Sequence, residues 1–258
     1  MLGRAHLNLI DASRRFFALD PDAEVEAGDG RLFGAGTPEH PVISNAVFRA
    51  DDDLGGSELI ERAKEFFGER GRGFSVWVRD GRPEDADLIE AAEAAGLRTI
   101  YEMPEMILTS PPRPVPASSG TDLRRLRTTE DATDFWEVAR PSYGDLGWPP
   151  EVFEHYTDST GLLAEDVAAF TAYRDGAPVA IAMTIVSHGV AGIYWVGALR
   201  SARGAGLGRA MTTAATEAGL ELGADFASLQ ASPMGKPIYE AMGFETVFDY
   251  RLLISPRP

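Results

Sequence analysis

The sequence predicts an α/β (α+β) protein built from two lobes. Segments with strand-like and helix-like patterns alternate along most of the chain, which is typical of this fold class. The proline-rich stretch SPPRPVPASSG at residues 110–120 interrupts this pattern. The order of elements before the stretch recurs in part after it. We therefore expect one lobe over residues 1–109, a linker over 110–120 and a second lobe over 121–258.

The composition restricts the class of partner. The 258 residues carry a formal net charge of −16, which disfavours binding to nucleic-acid phosphates, and 44% of them are hydrophobic, which is enough for two cores. The N-terminal segment carries charges throughout, and the longest apolar run, Ala177 to Val186, is too short for a membrane span. The absence of cysteine excludes disulfides and thiolate metal sites. We expect a cytoplasmic protein with no metal, no nucleic acid and no membrane partner.

In the second lobe the clearest element is a helix. Apolar residues recur at spacings of three and four from Leu207 to Ala218, which predicts a helix over residues 206–222 that ends at Gly223. The turn RDGAP, with Asp-Gly at its centre, predicts a hairpin between strands at 167–173 and 179–186. The other elements expected here are strands at 122–127, 190–196, 226–231 and 246–254 and helices at 130–140, 150–157 and 234–242.

The first lobe repeats part of this order. The elements expected here are strands at 42–49, 74–78 and 99–108 and helices at 59–67 and 85–95. The segment AAGLRTIYEM at 94–103 can be laid over AMGFETVFDY at 241–250 with alanine, glycine and threonine in register. Two helix-to-strand junctions could match by chance, but the shared order of five elements favours an internal repeat.

The segment ARGAGLGRAM at residues 202–211 joins a strand to a helix. The first backbone N–H groups of a helix have no partner within it, and glycines let an anion approach them closely. Phosphate is the usual ligand of such a site, and Arg203 at its edge adds a positive charge. The Walker pattern is absent because Arg209 and Ala210 follow Gly208, and the dinucleotide fingerprint lacks its third glycine. The remaining pattern is Arg-x-x-Gly-x-Gly.

This pattern, within WVGALRSARGAGLGRAM, resembles the acetyl-CoA loop of the GCN5-related N-acetyltransferases. Further on, LQASPMGKPIYEAMGFE resembles the next segment of that family, a strand, a small polar residue and a helix that ends Tyr-x-x-x-Gly-Phe. The resemblance covers roughly residues 120–254. It implies an acetyl-CoA-dependent N-acetyltransferase in a tandem form with a degenerate N-terminal copy. Each lobe would hold a mixed, mostly antiparallel sheet flanked by helices.

The resemblance also implies which residues bind the cofactor. The pyrophosphate of coenzyme A would lie on the loop amides, and pantetheine would bond to the main chain at the end of the preceding strand. Ser232 stands where the family often has an asparagine. The residues expected to bind acetyl-CoA are Val196, Gly197, Ala198, Arg203, Gly204, Ala205, Gly206, Leu207, Gly208, Arg209 and Ser232.

Tyr239 matches the family's general acid, which protonates the thiolate as coenzyme A leaves. The alternative is an aromatic residue that packs on its helix face beside Ile238 and Met242, and the motif favours the catalytic role. The general base stays open, because the strand IYWVG carries no carboxylate and offers only the polar tip of Tyr194. The candidates are Glu137, Asp145, His155 and His188, and each is more readily explained as a surface or turn residue than as a base.

The acceptor implied by the family is an amine of a small molecule or peptide. Six aromatic residues fall in the segment that would line its pocket, and we expect about half of them in the core. They are Phe135, Trp136, Tyr143, Trp148, Phe153 and Tyr156.

The first lobe is not expected to bind coenzyme A. Asp51, Asp52 and Asp53 occupy the turn that corresponds to the phosphate loop, and Ala92 corresponds to Tyr239. A different class of function, a non-catalytic acyl-CoA-binding or regulatory module, would use the same fold, but the loop together with Tyr239 argues against it. A monomer and a homodimer are both compatible with the sequence.

Overall fold

In a computed structural model of the protein, the described residues are 1–37, 40, 44–51, 53–112, 120–156 and 158–255. They form two compact units. The first unit comprises Met1–Ala12 and Met106–Glu245, and the second comprises Ser13–Glu105 and the segment that begins at Thr246. Within the described ranges, no helix combines the length and the apolar character needed to cross a membrane.

The helices and strands alternate along the chain. The helices are α1 (Leu2–Phe17), α2 (Gly56–Gly68), α3 (Ala86–Ala94), α4 (Thr129–Gly144), α5 (Glu151–Glu154), α6 (Leu207–Glu221) and α7 (Lys236–Met242). The strands are β1 (Glu24–Gly28), β2 (Arg31–Ala35), β3 (Asn45–Arg49), β4 (Ser75–Arg79), β5 (Arg98–Leu108), β6 (Thr121–Arg125), β7 (Val167–Arg174), β8 (Ala177–Ser187), β9 (Val190–Ala198), β10 (Phe226–Gln230) and β11 (Glu245–Ile254).

The first unit contains strands in the order β10-β9-β8-β7-β6. β10 and β9 are parallel, and the other neighbours are antiparallel. Helix α6 packs on the sheet through Leu207, Met211 and Ala215, which lie in one core cluster with residues of β8, β9 and β10. Helix α4 contacts β8 and β9 and begins with a capping box, in which Thr128 and Asp131 bond to each other's backbone amides.

The second unit repeats this plan. Its strands lie in the order β1-β2-β3-β4-β11-β5. β3 and β4 are parallel, while β1 with β2, β2 with β3, and β4 with β11 are antiparallel. A separate core joins α2 and α3 to this sheet through residues such as Leu59, Phe67 and Leu88. The predicted fold class, α/β with mixed and mostly antiparallel sheets, is confirmed.

The two helix-to-strand junctions that match in sequence also match in structure. Gly96 (φ 90°) follows α3, and Gly243 (φ 96°) follows α7, each in the left-handed conformation that favours glycine. The next amide donates to the carbonyl five residues back, at 3.0 Å in both cases: Leu97 to Ala92 and Phe244 to Tyr239. The same bond therefore places Ala92 and Tyr239 at equivalent positions of the repeat.

The compact units differ from the predicted division at both ends of the chain. The N-terminal half of α1 belongs to the unit formed mainly by the second lobe, and β11 belongs to the unit formed mainly by the first, where it pairs with β4. Most of the predicted linker, residues 113–119, lies outside the described residues, as do Val42 and Asp52. The division into residues 1–109, 110–120 and 121–258 as functional domains stays a prediction.

Sequence reasoning missed α1, β1 and β2. The buried residues Ala5, Leu9 and Ala12 of α1 recur at spacings of four and three, so this amphipathic helix carried a usable signal. The hairpin of β1 and β2 turns at Asp29 (φ 45°) and Gly30 (φ 70°), so the Asp-Gly pair carried a usable signal. β1 is exposed along its whole length and shows no alternation of burial.

Asn8 fixes α1 to the sheet of the first unit. Its side-chain amide donates to the carbonyls of Ile185 (3.0 Å) and Val190 (3.2 Å), and its carbonyl oxygen accepts from the hydroxyl of Tyr194 at 2.7 Å. A Cβ at Gly192 would collide with that oxygen, so the strand needs glycine there. The hydroxyl of Tyr194 is thus engaged by α1.

We expect Asn8→Ala to lower the free energy of unfolding of the first unit by about 2–3 kcal/mol, because buried carbonyls and the Tyr194 hydroxyl would lose their partner. Chemical denaturation followed by tryptophan fluorescence measures this change, since Trp136, Trp148 and Trp195 lie in that unit. Asp11→Ala is the matched control, because Asp11 pairs with His188 at a half-exposed position on the same helix. Equal losses for the two variants would contradict the anchoring role of Asn8.

Candidate active site

The centre of the first unit is a pair of parallel strands that separate. β9 and β10 pair through Val190–Phe226, Ala191–Ala227 and Gly192–Ser228, and the pairing ends there although β9 continues to Ala198. A β-bulge lies just beyond: Met183 of β8 opposes Tyr194, whereas Ile181 opposes Gly197. Trp195 within the bulge has φ 54°, which is rare for a bulky residue. β9 thus loses its pairing with β10 but stays paired with β8. This happens next to the residues that the family resemblance predicts to bind pantetheine.

The predicted cofactor residues Val196, Gly197 and Ala198 form this end of β9. They are half-buried, whereas the residues of β9 before them are buried. On one side of the strand, a Cβ at Gly197 would lie 3.0 Å from the Cβ of Ser142, so α4 approaches the strand closely. The structure therefore brings α4 beside the strand end.

The glycine loop leads from this strand end to the first turn of α6. Gly204 (φ 78°) and Gly206 (φ 74°) are left-handed, and Gly206 is the residue at which α6 begins. A Cβ at either position would meet no protein atom within 4 Å. The loop therefore leaves open space in front of a helix N-terminus, where backbone N–H groups and the helix dipole favour an anion.

Arg203 lies in this loop but is not isolated from the protein. Its Nε donates to the carbonyl of Ala198 at 3.1 Å, and its Nη2 lies 2.7 Å from Oδ2 of Asp145. Oδ1 of the same carboxylate accepts from Nη2 of Arg200 at 2.9 Å. The hydrogen bond from Arg200, helped by the charge of Arg203, lowers the pKa of Asp145. Asp145, a candidate base in the sequence, is therefore held as a carboxylate between two arginines.

Tyr239 projects from α7 into the core of the first unit. It is 8% exposed, its ring meets Phe244 edge-on at 5.9 Å between centroids, and a Cβ at Gly235 would collide with it. Burial raises the pKa of Tyr239 to about 12, against a smaller opposite effect of the Thr212 hydroxyl. Tyr143 of α4 is close enough for Tyr239 to raise its pKa further, after a larger effect of burial.

A cluster of aromatic rings surrounds Trp195. The rings of Tyr143 (4.7 Å), Trp136 (5.4 Å) and Trp148 (5.4 Å) are its nearest aromatic neighbours by centroid distance. Trp195 itself is 5% exposed. Of the six aromatic residues predicted for this segment, Phe135, Trp136 and Phe153 are buried and Tyr143, Trp148 and Tyr156 are half-buried. Sequence reasoning missed Trp195, because a bulge depends on pairing with a distant strand and has no local pattern.

A cavity of about 460 Å³ lies on the outer face of α4. Its lining includes Trp136, Glu137, Arg140 and Tyr156. The indole N–H of Trp136 donates to Ser159 Oγ at 2.9 Å, which fixes the ring that separates this cavity from Trp195. The lining residues of α4 follow one stripe of the helix that leads towards Tyr143.

A second cavity, of about 480 Å³, lies beside the first turn of α6. It is lined by Arg209, by the end of α7 from Glu240 to Gly243, and by residues 107–111 after the middle of β5. Arg209 therefore lines this cavity and also lies in the first turn of α6.

Three further predicted residues lie at turns or helix ends. Ser232 Oγ accepts from the amide of Gly235 at 3.1 Å and so stabilises the turn between β10 and α7. His188 (φ 51°) lies in the turn between β8 and β9, with Nε2 3.0 Å from Asp11 Oδ2. His155 ends the short helix α5.

At the corresponding helix N-terminus of the second unit, a carboxylate of the same unit bonds to the backbone amide. The amide of Gly56, at the start of α2, donates to Oδ2 of Asp87 at 2.7 Å. The same carboxylate accepts from Nη2 of Arg49 at 2.9 Å, and this bond is the largest cause of its lowered pKa. The helix N-terminus that corresponds to α6 thus already holds an anion of its own chain.

The comparisons with known proteins agree with the family resemblance of the sequence. A profile of the acetyltransferase (GNAT) domain matches residues 113–231. No curated protein matches the chain. Residues 113–231 are therefore similar to the acetyltransferase domain of the GCN5-related N-acetyltransferases.

Solved structures share the fold over nearly the whole chain. A GCN5-related N-acetyltransferase from Kribbella flavida is similar with a TM-score of 0.72 and 18% identity over 96% of this chain and 94% of that one. One from Sphaerobacter thermophilus has a TM-score of 0.65 and 18% identity over 98% and 92%. A tandem GNAT protein from the clavulanic acid biosynthesis pathway has a TM-score of 0.66 and 16% identity over 92% and 84%. The tandem arrangement expected from the repeat thus has a structural precedent.

We expect Gly206→Glu to abolish binding of coenzyme A to a folded protein, because its side chain would enter the space in front of α6 and bring a negative charge. Gly206→Ala is the matched control: it bears the same backbone strain at φ 74° without filling the space. Titration calorimetry with coenzyme A, together with circular dichroism, measures both. Normal affinity of a folded Gly206→Glu variant would contradict the loop as the anion site.

Proposed function

We propose that the protein is an N-acetyltransferase that uses acetyl-CoA and an amine of a small molecule or peptide. The observation that carries the proposal is the opening between β9 and β10, with the loop at one end and Tyr239 beside it. The residues fit the cofactor: Gly204 and Gly206 leave room before α6, and the guanidinium of Arg203 keeps N–H donors beyond those used by Ala198 and Asp145.

Acetyl-CoA supplies the acetyl group as a thioester. The amide groups of the loop and Arg203 would hold the pyrophosphate, with Leu207, Gly208 and Arg209 contributing the first turn of α6. The end of β9 would orient pantetheine through its main chain. With acetyl-CoA bound, the acceptor nitrogen would form a bond to the acetyl carbon as the C–S bond of the thioester breaks. Tyr239 would donate its proton to the departing thiolate, and the proton lost by the acceptor nitrogen would return to the phenolate through water.

The acceptor side is the face that carries α4. Tyr143 and Trp148 border Trp195 there, and the stripe of α4 leads from Tyr143 to the cavity with Trp136 and Glu137. An acceptor amine approaching along this stripe would reach the bulge from the side opposite α6. The acetyl-CoA and the amine would thus meet between α4 and α7.

We expect Tyr239→Phe to lower kcat by about 10²–10⁴-fold and to leave the Kd for acetyl-CoA nearly unchanged, because only the proton donor is removed. The assay is thiol release in single turnover, with an acceptor first identified from primary amines, amino acids, aminoglycosides and peptide N-termini. Tyr250→Phe is the matched control, as a buried tyrosine of the second unit. An unchanged rate when chemistry is limiting would contradict the role of Tyr239.

The same panel separates the two classes of function. Binding of acetyl-CoA with no thiol release for any amine would favour a non-catalytic acyl-CoA-binding module. Thiol release that depends on an amine would exclude the non-catalytic module.

The pH dependence should reflect the raised pKa of Tyr239. An ordinary tyrosine, with a pKa of 10.0, would lose half of its general acid at that pH, whereas a pKa of about 12 keeps the phenol protonated. We therefore expect the single-turnover rate with saturating acceptor to show no decline up to about pH 10.5. A decline centred near pH 10 that is absent from Tyr239→Phe would contradict the raised pKa.

We expect one coenzyme A per chain, because Asp87 and Arg49 already neutralise each other at the N-terminus of α2. Asp51 and Asp53 add negative charge near that position. Calorimetry should give about one site for the wild type and none for Gly206→Glu. Two sites per chain, or residual binding in Gly206→Glu with wild-type affinity, would contradict the prediction.

A further inference from the structure

The last turn of α4 and the segment after it meet the cofactor loop at one side chain, Asp145. Asp145 ends α4, is 24% exposed, and its carboxylate faces the two arginines of the loop. Arg203, 28% exposed, is bonded on its other side to the carbonyl of Ala198. A single carboxylate thus joins α4, the loop and, through Arg203, the end of β9.

The same turn of α4 also carries the rings beside the bulge. Tyr143 and Trp148 both contact Trp195, at 4.7 and 5.4 Å, and the amide of Trp148 donates to the carbonyl of Tyr143 at 3.1 Å. Asp145 lies between these two residues in sequence. The segment that carries the rings on the acceptor side thus also carries the carboxylate that bonds to the arginines on the cofactor side.

We propose that Asp145 is a positioning residue, which orients Arg203 for the pyrophosphate of coenzyme A and holds the loop against α4. The inference rests on the proposed cofactor site. A guanidinium has five N–H donors in a rigid plane, so the bonds to Asp145 and Ala198 set its orientation and leave donors for phosphate. Arg200, whose side chain is 80% exposed, takes the other oxygen of Asp145 and keeps that carboxylate from rotating away.

If Arg203 is already oriented in the free protein, phosphate binding has a smaller entropic cost. We expect Asp145→Ala to weaken binding of coenzyme A by about 2- to 5-fold, the range for an exposed ion pair. Asp145→Asn keeps an oxygen that accepts from one arginine, so its loss should be smaller. Pantetheine, which has no phosphate, should bind both variants as it binds the wild type. A purely structural displacement of α4 would weaken pantetheine and coenzyme A equally.

A double-mutant cycle tests whether Asp145 acts through Arg203. Asp145→Ala in an Arg203→Ala background should cause little further loss, since the side chain that it orients is gone. Asp122→Ala is the matched control, because it removes an exposed carboxylate that pairs with Arg124 elsewhere in the unit. Additive losses, or equal losses for coenzyme A and pantetheine, would overturn the proposal.

Hydrogen exchange of the unliganded protein tests the inference separately from the proposed function. The amides of residues 203–209 should exchange faster in Asp145→Ala than in the wild type and in Asp122→Ala. If the wild type binds no coenzyme A, the proposed function fails, and this measurement still decides whether Asp145 orders the loop. Unchanged exchange would overturn the role of Asp145 by itself.

Discussion

The first unit depends on the early end of the parallel pairing between β9 and β10. Three residue pairs hold the strands together, and the bulge at Trp195 then changes the course of β9. A sheet interior normally satisfies its backbone groups across the ladder, so an end of pairing beside a bulge makes backbone groups accessible to another partner. The packing of α4 on one face and α6 on the other stabilises this opening. Both the loop and Tyr239 take their positions from it.

The glycine loop and the segment that carries Tyr239 could be located from the sequence because their signals are local. The loop has left-handed glycines before a periodic helix, and the junction after Tyr239 has a glycine cap. The partners of these segments could not be predicted. Asn8 and Tyr194 meet across 186 positions, and Asp145 and Arg200 across 55. Such contacts follow from the fold and produce no regular spacing in the sequence. For this reason the sequence identified Asp145 only as a candidate base.

Three candidate bases from the sequence, Asp145, Tyr194 and Glu137, are constrained by their surroundings. The carboxylate of Asp145 is stabilised in its charged form by two arginines, which makes it a weak proton acceptor. The hydroxyl of Tyr194 donates to Asn8 on the side of α1. Glu137 lines a cavity beyond the ring of Trp136. The rings of Tyr143 and Trp148 therefore place aromatic surface, rather than a free charge, next to the bulge.

The second unit keeps the architecture of the fold but holds one of its own carboxylates at the helix N-terminus. Its strand, loop, helix and parallel strand recur, and the caps at Gly96 and Gly243 superpose bond for bond. At the start of α2, however, the anion is Asp87, supplied by the chain itself and paired with Arg49. An internal carboxylate pays no entropy of association, so it competes at a high effective concentration with any free phosphate. In the first unit the carboxylate of Asp145 bonds to the arginines and leaves the space before Gly206 free of protein atoms. The two copies thus differ in where one carboxylate bonds. In the second unit Asp87 bonds to the helix N-terminus, whereas in the first unit Asp145 bonds to the guanidinium groups of Arg200 and Arg203.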